Sequence, residues 1–107
     1  MLSVTLDTNV YVGALNGGMG SRLFSMAESG AIRIDRSDAI LNETIRMPRD
    51  KFDWDGYRLH FTRLKLATLT NRVTPTLTLD VIKEDPPDNR ILECAIEAGS
   101  EYILTWD

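Results

Sequence analysis

Four carboxylates stand where the chain could bring them into one site. Asp7 follows an alternating apolar stretch, Glu43 lies in a segment with helical spacing, Asp88 opens another such segment, and Asp107 ends the sequence. Carboxylates at the rim of a core cost free energy unless they are paired or bound to metal, and several close together need cations to stay ionised. Oxygen donors without thiolate or imidazole partners indicate Mg²⁺ or Mn²⁺.

A metal site of this kind is suited to phosphoryl chemistry, because the metal lowers the pKa of a water and neutralises the leaving oxygen. His60, the only histidine, has no His, Cys or Glu partner at ligand spacing. Cys94, the only cysteine, has the place of a small core residue on a helix and excludes an internal disulfide. We therefore expect an activated water as the nucleophile, not a side chain.

Three of the acids have other interpretations. Glu43 borders an apolar helical stripe and could be a solvated side chain. Asp88 could serve only as a helix N-cap, a role that on spacing is as plausible as metal binding. Asp7 could be the nucleophile of an aspartyl phosphotransferase, although such enzymes generally carry a second acid two residues on, where this chain has Asn9.

Extended and helical patterns alternate along the chain, as the positioning of these acids requires. We expect strands at 2–6, 31–35 and 101–105, an edge strand or extended loop at 73–82, and helices at 11–15, 22–29, 39–47, 54–71 and 89–98. This order predicts one α/β domain, residues 1–107, with a parallel sheet between helices. Asp7, Asp88 and Asp107 should then converge at the edge where strands end and helices begin, and Glu43 joins them if its helix crosses that edge.

Polar, glycine and proline residues set the expected helix boundaries. We expect N-caps at Ser21, at Ser37 or Asp38, at Asp53 and at Asp88, a helix end before Pro48, and left-handed stops at Gly30 and Gly99. In the helix at 54–71 one apolar face should enter the core, comprising Trp54, Tyr57, Phe61, Leu64 and Thr68. The alternative for its aromatic residues is a base-stacking platform.

Basic residues gather in two places. Arg58, Lys65 and Arg72 recur every seven residues and share a helix face, and a connection before that helix carries Arg46, Arg49 and Lys51. Such a face is usually only solvated, but it could also follow a phosphate backbone.

The overall charge argues mildly against a nucleic-acid binder, since it is -4. Without the four nominated carboxylates, 12 basic residues balance the remaining acids, and bound metal weakens the objection. No apolar run approaches the roughly 20 residues of a membrane span, and no signal peptide precedes the first strand. We expect a cytoplasmic protein in a reducing compartment.

Three stretches resemble PIN-domain ribonucleases. They are Leu-Asp-Thr-Asn-Val at 6–10, Ala-Ile-Leu-Asn-Glu at 39–43, and the run from Asp-Pro-Pro-Asp-Asn-Arg to Tyr-Ile-Leu-Thr-Trp-Asp at 85–107. The resemblance covers the whole chain and is closest to toxins of toxin–antitoxin pairs. It implies a three-layer α/β/α fold, metal binding by Asp7, Glu43, Asp88 and Asp107, and support from Thr8, Asn9 and Thr105. It also implies Mg²⁺- or Mn²⁺-dependent cleavage of RNA and a cognate antitoxin as partner.

The chain departs from this family at its last motif. Trp106 replaces the usual Gly, and the sequence stops at Asp107, so the family's last strand and helix are expected to be missing. A sheet left uncovered in this way would expose apolar surface and favour a homodimer. The alternative function is a degenerate PIN scaffold that binds RNA or an antitoxin without cutting.

Overall fold

The computed structural model describes residues 1–18, 20–80 and 86–105. In this part of the chain four strands form one sheet in the order β3-β2-β1-β4, and every neighbouring pair is parallel. The strands are β1 (Leu2–Leu6), β2 (Ile32–Arg36), β3 (Asn71–Arg72) and β4 (Tyr102–Leu104), and the helices are α1 (Thr8–Leu15), α2 (Ser21–Glu28), α3 (Asp38–Phe52), α4 (Gly56–Leu69) and α5 (Pro86–Ala98). The predicted α/β class with a central parallel sheet is confirmed.

Side-chain alternation along β1 and β2 divides the sheet into two faces. Thr5 and Asp35 are paired in register, and their side chains reach Cys94 of α5 and Ser100, just beyond α5. Val4, Leu6 and Ile34 must point the other way, because successive strand residues face opposite sides. They are buried in the same core as apolar residues of the helices, including Val10, Tyr11, Phe24, Ile40, Ile45 and Leu66. Helices therefore cover both faces of the sheet.

The helix that carries Glu43 does not end before Pro48. Helix α3 continues to Phe52 with Pro48 buried inside it. A proline removes one backbone hydrogen bond of a helix, and here the flanking turns continue because the Ile40, Leu41 and Ile45 face is buried. The predicted boundary was wrong because burial outweighed the local cost of proline.

The N-caps predicted at Ser21 and Asp53 were also wrong. Helix α2 is capped by Gly20 without a side-chain bond, so Ser21 is its first residue. Asp53 is instead the left-handed C-cap of α3, at φ 54°, and Asp55 caps α4 by accepting a 2.8 Å bond from the N–H of Arg58. An acid two residues further on was the better cap because the long α3 uses Asp53 to end its own last turn.

The N-cap at Ser37 and the left-handed stops at Gly30 and Gly99 are confirmed, whereas the N-cap at Asp88 is not. Ser37 caps α3 through a 3.3 Å bond from the N–H of Ile40, and Gly30 and Gly99 take left-handed backbone angles, φ 81° and φ 65°. Asp88 lies within the first turn of α5, since that helix begins at Pro86. Asp88 is therefore not the N-cap.

The face of helix α4 that packs against the core is opposite to the face that was predicted to do so. Tyr57, Phe61 and Leu64 are 76%, 51% and 49% exposed, whereas Leu66 is buried and Leu59 packs against the core. Both faces of this helix are apolar, so periodicity alone could not decide which of them is buried. The structure leaves an exposed apolar strip on α4, which we define as Tyr57, Phe61 and Leu64.

The segment at 73–80 forms no strand of its own. Pairing occurs earlier, at Asn71 and Arg72, and Val73 adds one 2.8 Å bond from its N–H to the carbonyl of Arg36. Beyond it, carboxylates of α5 accept from the backbone: Glu97 from Thr76 at 2.8 Å and Glu93 from Leu79 at 2.7 Å. Of the two forms expected for 73–82, an edge strand or an extended loop, residues 73–80 have the loop, held by side chains of α5. Residues 81 and 82 lie outside the described residues.

None of the helices in the described residues is long and apolar enough to cross a bilayer.

Candidate functional site

Asp7 lies between the end of β1 and the start of α1. Its backbone N–H donates to the carbonyl of Leu104 at 3.0 Å, so β1 and β4 end side by side. Its carboxylate Oδ1 accepts a 2.9 Å bond from the N–H of Val10 and caps α1. The acid is half-buried at the carboxyl edge of a parallel sheet, which is where open α/β sheets bind ligands. The cap was missed in the sequence because α1 begins at Thr8, three residues earlier than expected.

Glu43 is on α3 and borders its buried face, as expected. Its side chain is 26% exposed, and both of its carboxylate oxygens accept from Arg46. Nη2 of Arg46 lies 2.5 Å from Oε1, and Nε lies 3.1 Å from Oε2. Glu43 is therefore neither a bare ligand nor a simply solvated side chain, because a neighbouring guanidinium engages it at two points.

The other predicted ligands differ in how far the structure describes them. Asp88 is exposed in the first turn of α5, where a negative charge is favoured by the helix dipole. Asp107 lies outside the described residues. Among the supporting residues, Thr8 is half-buried in the first turn of α1, Asn9 is exposed beside it, and Thr105 is exposed directly after β4.

Two of the expected site residues, Asp7 and Thr105, lie near each other at the ends of β1 and β4. The bond between Asp7 and Leu104 brings Asp7 close to Thr105, the next residue along. The described candidates, Asp7, Glu43 and Asp88, offer only carboxylate oxygen, so their donor type fits Mg²⁺ or Mn²⁺. Within the described ranges, no group of three or more His, Cys, Asp and Glu residues is arranged to hold a metal ion. The described residues therefore agree with the predicted metal site in the type of their donor atoms and in the position of Asp7.

All four arginines predicted to contact RNA are engaged within the protein. Arg46 pairs with Glu43, Arg49 donates to Asp50 at 2.9 Å, Arg72 donates to Asp38 at 2.6 Å, and Arg58 lies 3.5 Å above the ring of Trp54. The hydrogen bond from Arg72 lowers the pKa of Asp38, and the one from Arg49 lowers the pKa of Asp50. Lys51 and Lys65 are exposed.

A buried carboxylate that the sequence reasoning missed lies below the candidate site. Asp35 on β2 has no exposed surface. It accepts hydrogen bonds from Nε of Arg33 at 2.7 Å, from Oγ of Ser100 at 2.7 Å and from Nδ2 of Asn71 at 2.9 Å. Alternation along β2 places Asp35 on the same face as Arg33 and opposite Ile34, so the pattern gave no sign that this acid is buried. Two of the donors, Ser100 and Asn71, come from distant parts of the chain, so the sequence did not reveal them.

This cluster extends from Asp35 to β1 and α5. Oγ of Ser100 lies 2.7 Å from Oγ1 of Thr5, which in turn lies 3.8 Å from Sγ of Cys94. Burial, the largest effect, raises the pKa of the Cys94 thiol to about 11. These bonds fix the turn between α5 and β4 against β1. Thr5 precedes Asp7 by two residues, so the same bonds support the strand end that carries Asp7.

The family model described as a PIN domain matches residues 3–107. This chain belongs to the PIN-domain family. Neither a curated protein nor a solved structure matches it. PIN domains are generally nucleases and typically use divalent metal ions, so membership indicates a nuclease-type function and contact with nucleic acid. The position of Asp7 at the carboxyl edge of the sheet agrees with this class of function.

Proposed function

We propose that this PIN-domain protein is a metal-dependent endoribonuclease. Asp7, Glu43, Asp88 and Asp107 would hold Mg²⁺ or Mn²⁺, with Thr8, Asn9 and Thr105 as hydrogen-bonding supports. A bound divalent ion supplies activation of the attacking water and neutralisation of charge on the leaving oxygen. The observation that carries the proposal is the position of Asp7, whose backbone joins the ends of β1 and β4 in a chain of this family.

Asp7 is suited to this role because two bonds hold it in place. Its backbone N–H is bonded to β4, and its Oδ1 is bonded to the first turn of α1. A carboxylate offers about four lone-pair sites over its two oxygens, so an aspartate that caps a helix can also be a metal ligand. Asp88 would contribute from the amino end of α5, where the helix dipole also favours an approaching phosphate.

The proposed substrate is RNA, and the basic residues would follow its backbone. Lys51 and Lys65 are exposed and available for phosphate contacts. Cζ of Arg58 lies over the ring of Trp54, and a guanidinium and an indole together would offer a stacking surface for a base. Arg46, Arg49 and Arg72 would first have to leave their acidic partners.

We also propose that the protein is a cytoplasmic toxin, inhibited by a cognate antitoxin. The resemblance of residues 85–107 to that branch of the family motivates this proposal. The exposed apolar strip of α4 supports a protein partner, because contiguous apolar surface commonly marks an interface. The same strip is also compatible with a homodimer.

The test of catalysis compares Asp7→Asn with Asp55→Asn. Both acids are N-caps, and asparagine caps as well as aspartate, so neither variant should lose its helix start. We expect Mn²⁺-dependent cleavage of single-stranded RNA by the parent protein, at least a roughly 100-fold loss in Asp7→Asn, and no loss in Asp55→Asn. Full activity of Asp7→Asn, or cleavage that persists in EDTA, would refute the proposal.

A non-catalytic scaffold that binds RNA or an antitoxin is the second candidate function. The observation in its favour is the two-point contact of Arg46 with Glu43, which engages a proposed ligand inside the protein. Calorimetry separates the two functions. A scaffold would bind RNA without saturable uptake of Mn²⁺, whereas a nuclease would bind both.

A further inference from the structure

We propose that Arg46 tunes the metal affinity of the site by competing with the cation for Glu43. This inference rests on the proposed function, in which Glu43 is a metal ligand. It gives Arg46 a role through Glu43 that is separate from any contact with RNA.

The contact has the geometry of a strong pair. Arg46 follows Glu43 by three residues on α3, so the two side chains meet on the same face of the helix. Two N–H groups of one guanidinium reach two oxygens of one carboxylate, and this bidentate arrangement is among the stronger charge-assisted contacts. A cation that approaches Glu43 therefore meets a positive charge and two occupied oxygens.

Arg46 also has a second acceptor within reach. Its Nη1 lies 4.0 Å from Oδ2 of Asp50, one turn further along α3. Since the Arg46 side chain is 52% exposed, it can swing toward Asp50 without disturbing the core. Release from Glu43 would thus exchange one carboxylate partner for another and leave no charge unpaired.

The size of the effect follows from the exposure of the pair. Solvent and salt screen a partly exposed ion pair. The free energy needed to break the Arg46–Glu43 pair when a metal binds should therefore be little more than that of a typical surface ion pair. We expect removal of the guanidinium to tighten Mn²⁺ binding about 3- to 10-fold. The sign is definite, because deletion both frees the two oxygens and removes a like charge.

Calorimetric titration of the full chain with Mn²⁺ provides the test. Arg46→Gln should bind Mn²⁺ about 3- to 10-fold more tightly than the parent. Arg63→Gln is the matched control, since Arg63 also lies beside α3 but bonds the amide oxygen of Asn42. It should leave the affinity within about 2-fold. In a Glu43→Gln background, Arg46→Gln should change the Mn²⁺ affinity by less than it does in the parent.

A second readout follows the arginine itself. In a ¹⁵N NMR titration of the parent protein with Mg²⁺, the Nε–H resonance of Arg46 should shift as its bond to Glu43 breaks, while that of Arg63, which bonds Asn42, should not. This measurement does not depend on RNA cleavage. The Arg46 resonance of Glu43→Gln should be unaffected by Mg²⁺.

The outcomes separate this inference from the proposed function. Unchanged or weaker Mn²⁺ binding by Arg46→Gln, with saturable binding by the parent, overturns the role of Arg46 and leaves the nuclease proposal standing. An Arg46 resonance that does not respond to Mg²⁺ overturns it as well. Absence of Mn²⁺ binding by every variant overturns both proposals together.

Discussion

Ser100 donates a 2.7 Å hydrogen bond from Oγ to Oδ2 of Asp35, a carboxylate without exposed surface. The bond ties the turn between α5 and β4 to β2. A buried carboxylate is tolerated only where donors satisfy its oxygens, and Arg33 and Asn71 supply the others. The candidate site therefore stands on a polar layer in which each donor matters.

Removal of the Ser100 hydroxyl should lower the free energy of unfolding. Ser100→Ala leaves Oδ2 of Asp35 with one donor fewer in a buried position, which costs about 1–3 kcal/mol. Urea denaturation measures the loss. Ser29→Ala is the control, because Ser29 is exposed and its Oγ bonds the carbonyl of Met26. That variant should stay within about 0.5 kcal/mol of the parent, and equal losses in the two variants would contradict the prediction.

The capping role of Asp7 predicts different effects of two substitutions on stability. Asp7→Ala removes the acceptor for the N–H of Val10 and should cost about 1 kcal/mol, whereas Asp7→Asn keeps an acceptor there and should cost little. Denaturation of both variants, with Asp55→Ala as a second cap deletion, checks this. Strong destabilisation by Asp7→Asn would contradict the cap and would weaken any conclusion from its activity.

Local patterns were sufficient to predict the features that depend on neighbouring residues. Alternation at Leu2–Leu6 gave β1 and the position of Asp7 at its end, and the left-handed stops at Gly30 and Gly99 were correct. The parallel sheet followed from the order of the elements. The motifs at 6–10, 39–43 and 85–107 led to the correct family.

The features that could not be predicted from the sequence depend on contacts between residues far apart in the chain. The donors to Asp35 lie up to 65 residues away, so its burial could not be read from β2 alone. The buried face of α4 was misassigned because Leu59 and Leu66 compete with Tyr57 and Phe61 for the core. The pairing of Glu43 with Arg46 could have been predicted from the sequence, since the two are three residues apart on one helix.

Replacement of Tyr11 by Phe should leave the protein equally stable or stabilise it. Tyr11 is buried, and its hydroxyl has no hydrogen-bond partner among the described residues. Burial also raises the pKa of Tyr11 far above its ordinary value. Removal of an unpaired buried hydroxyl should change the free energy of unfolding by between zero and about +1 kcal/mol. Tyr57→Phe, at an exposed position, is the control. A loss above about 1 kcal/mol in Tyr11→Phe would show that the hydroxyl is bonded.

The thiol of Cys94 should resist modification while the protein is folded. Cys94 is fully buried, and burial raises its pKa to about 11, so at pH 8 it is protonated as well as shielded. With Ellman's reagent we expect no reaction in native conditions and one thiol per chain in guanidinium chloride. Rapid stoichiometric labelling of the native protein would contradict this burial.

The ion pair between Arg72 and Asp38 should be visible in the acid titration of Asp38. Arg72 donates to both carboxylate oxygens, at 2.6 Å and 3.0 Å, and lowers the pKa of Asp38 below its ordinary value. Because the folded pKa is the lower one, the pair stabilises the fold above the ordinary aspartate pKa, and this contribution is lost as the pH falls through the folded pKa. Arg72→Gln should therefore raise the pKa of Asp38, as measured by ¹³C NMR of its carboxyl group. Arg63→Gln is the control, since Arg63 bonds the amide oxygen of Asn42. An Asp38 titration that is the same in Arg72→Gln and in the parent would show that the pair does not form in solution.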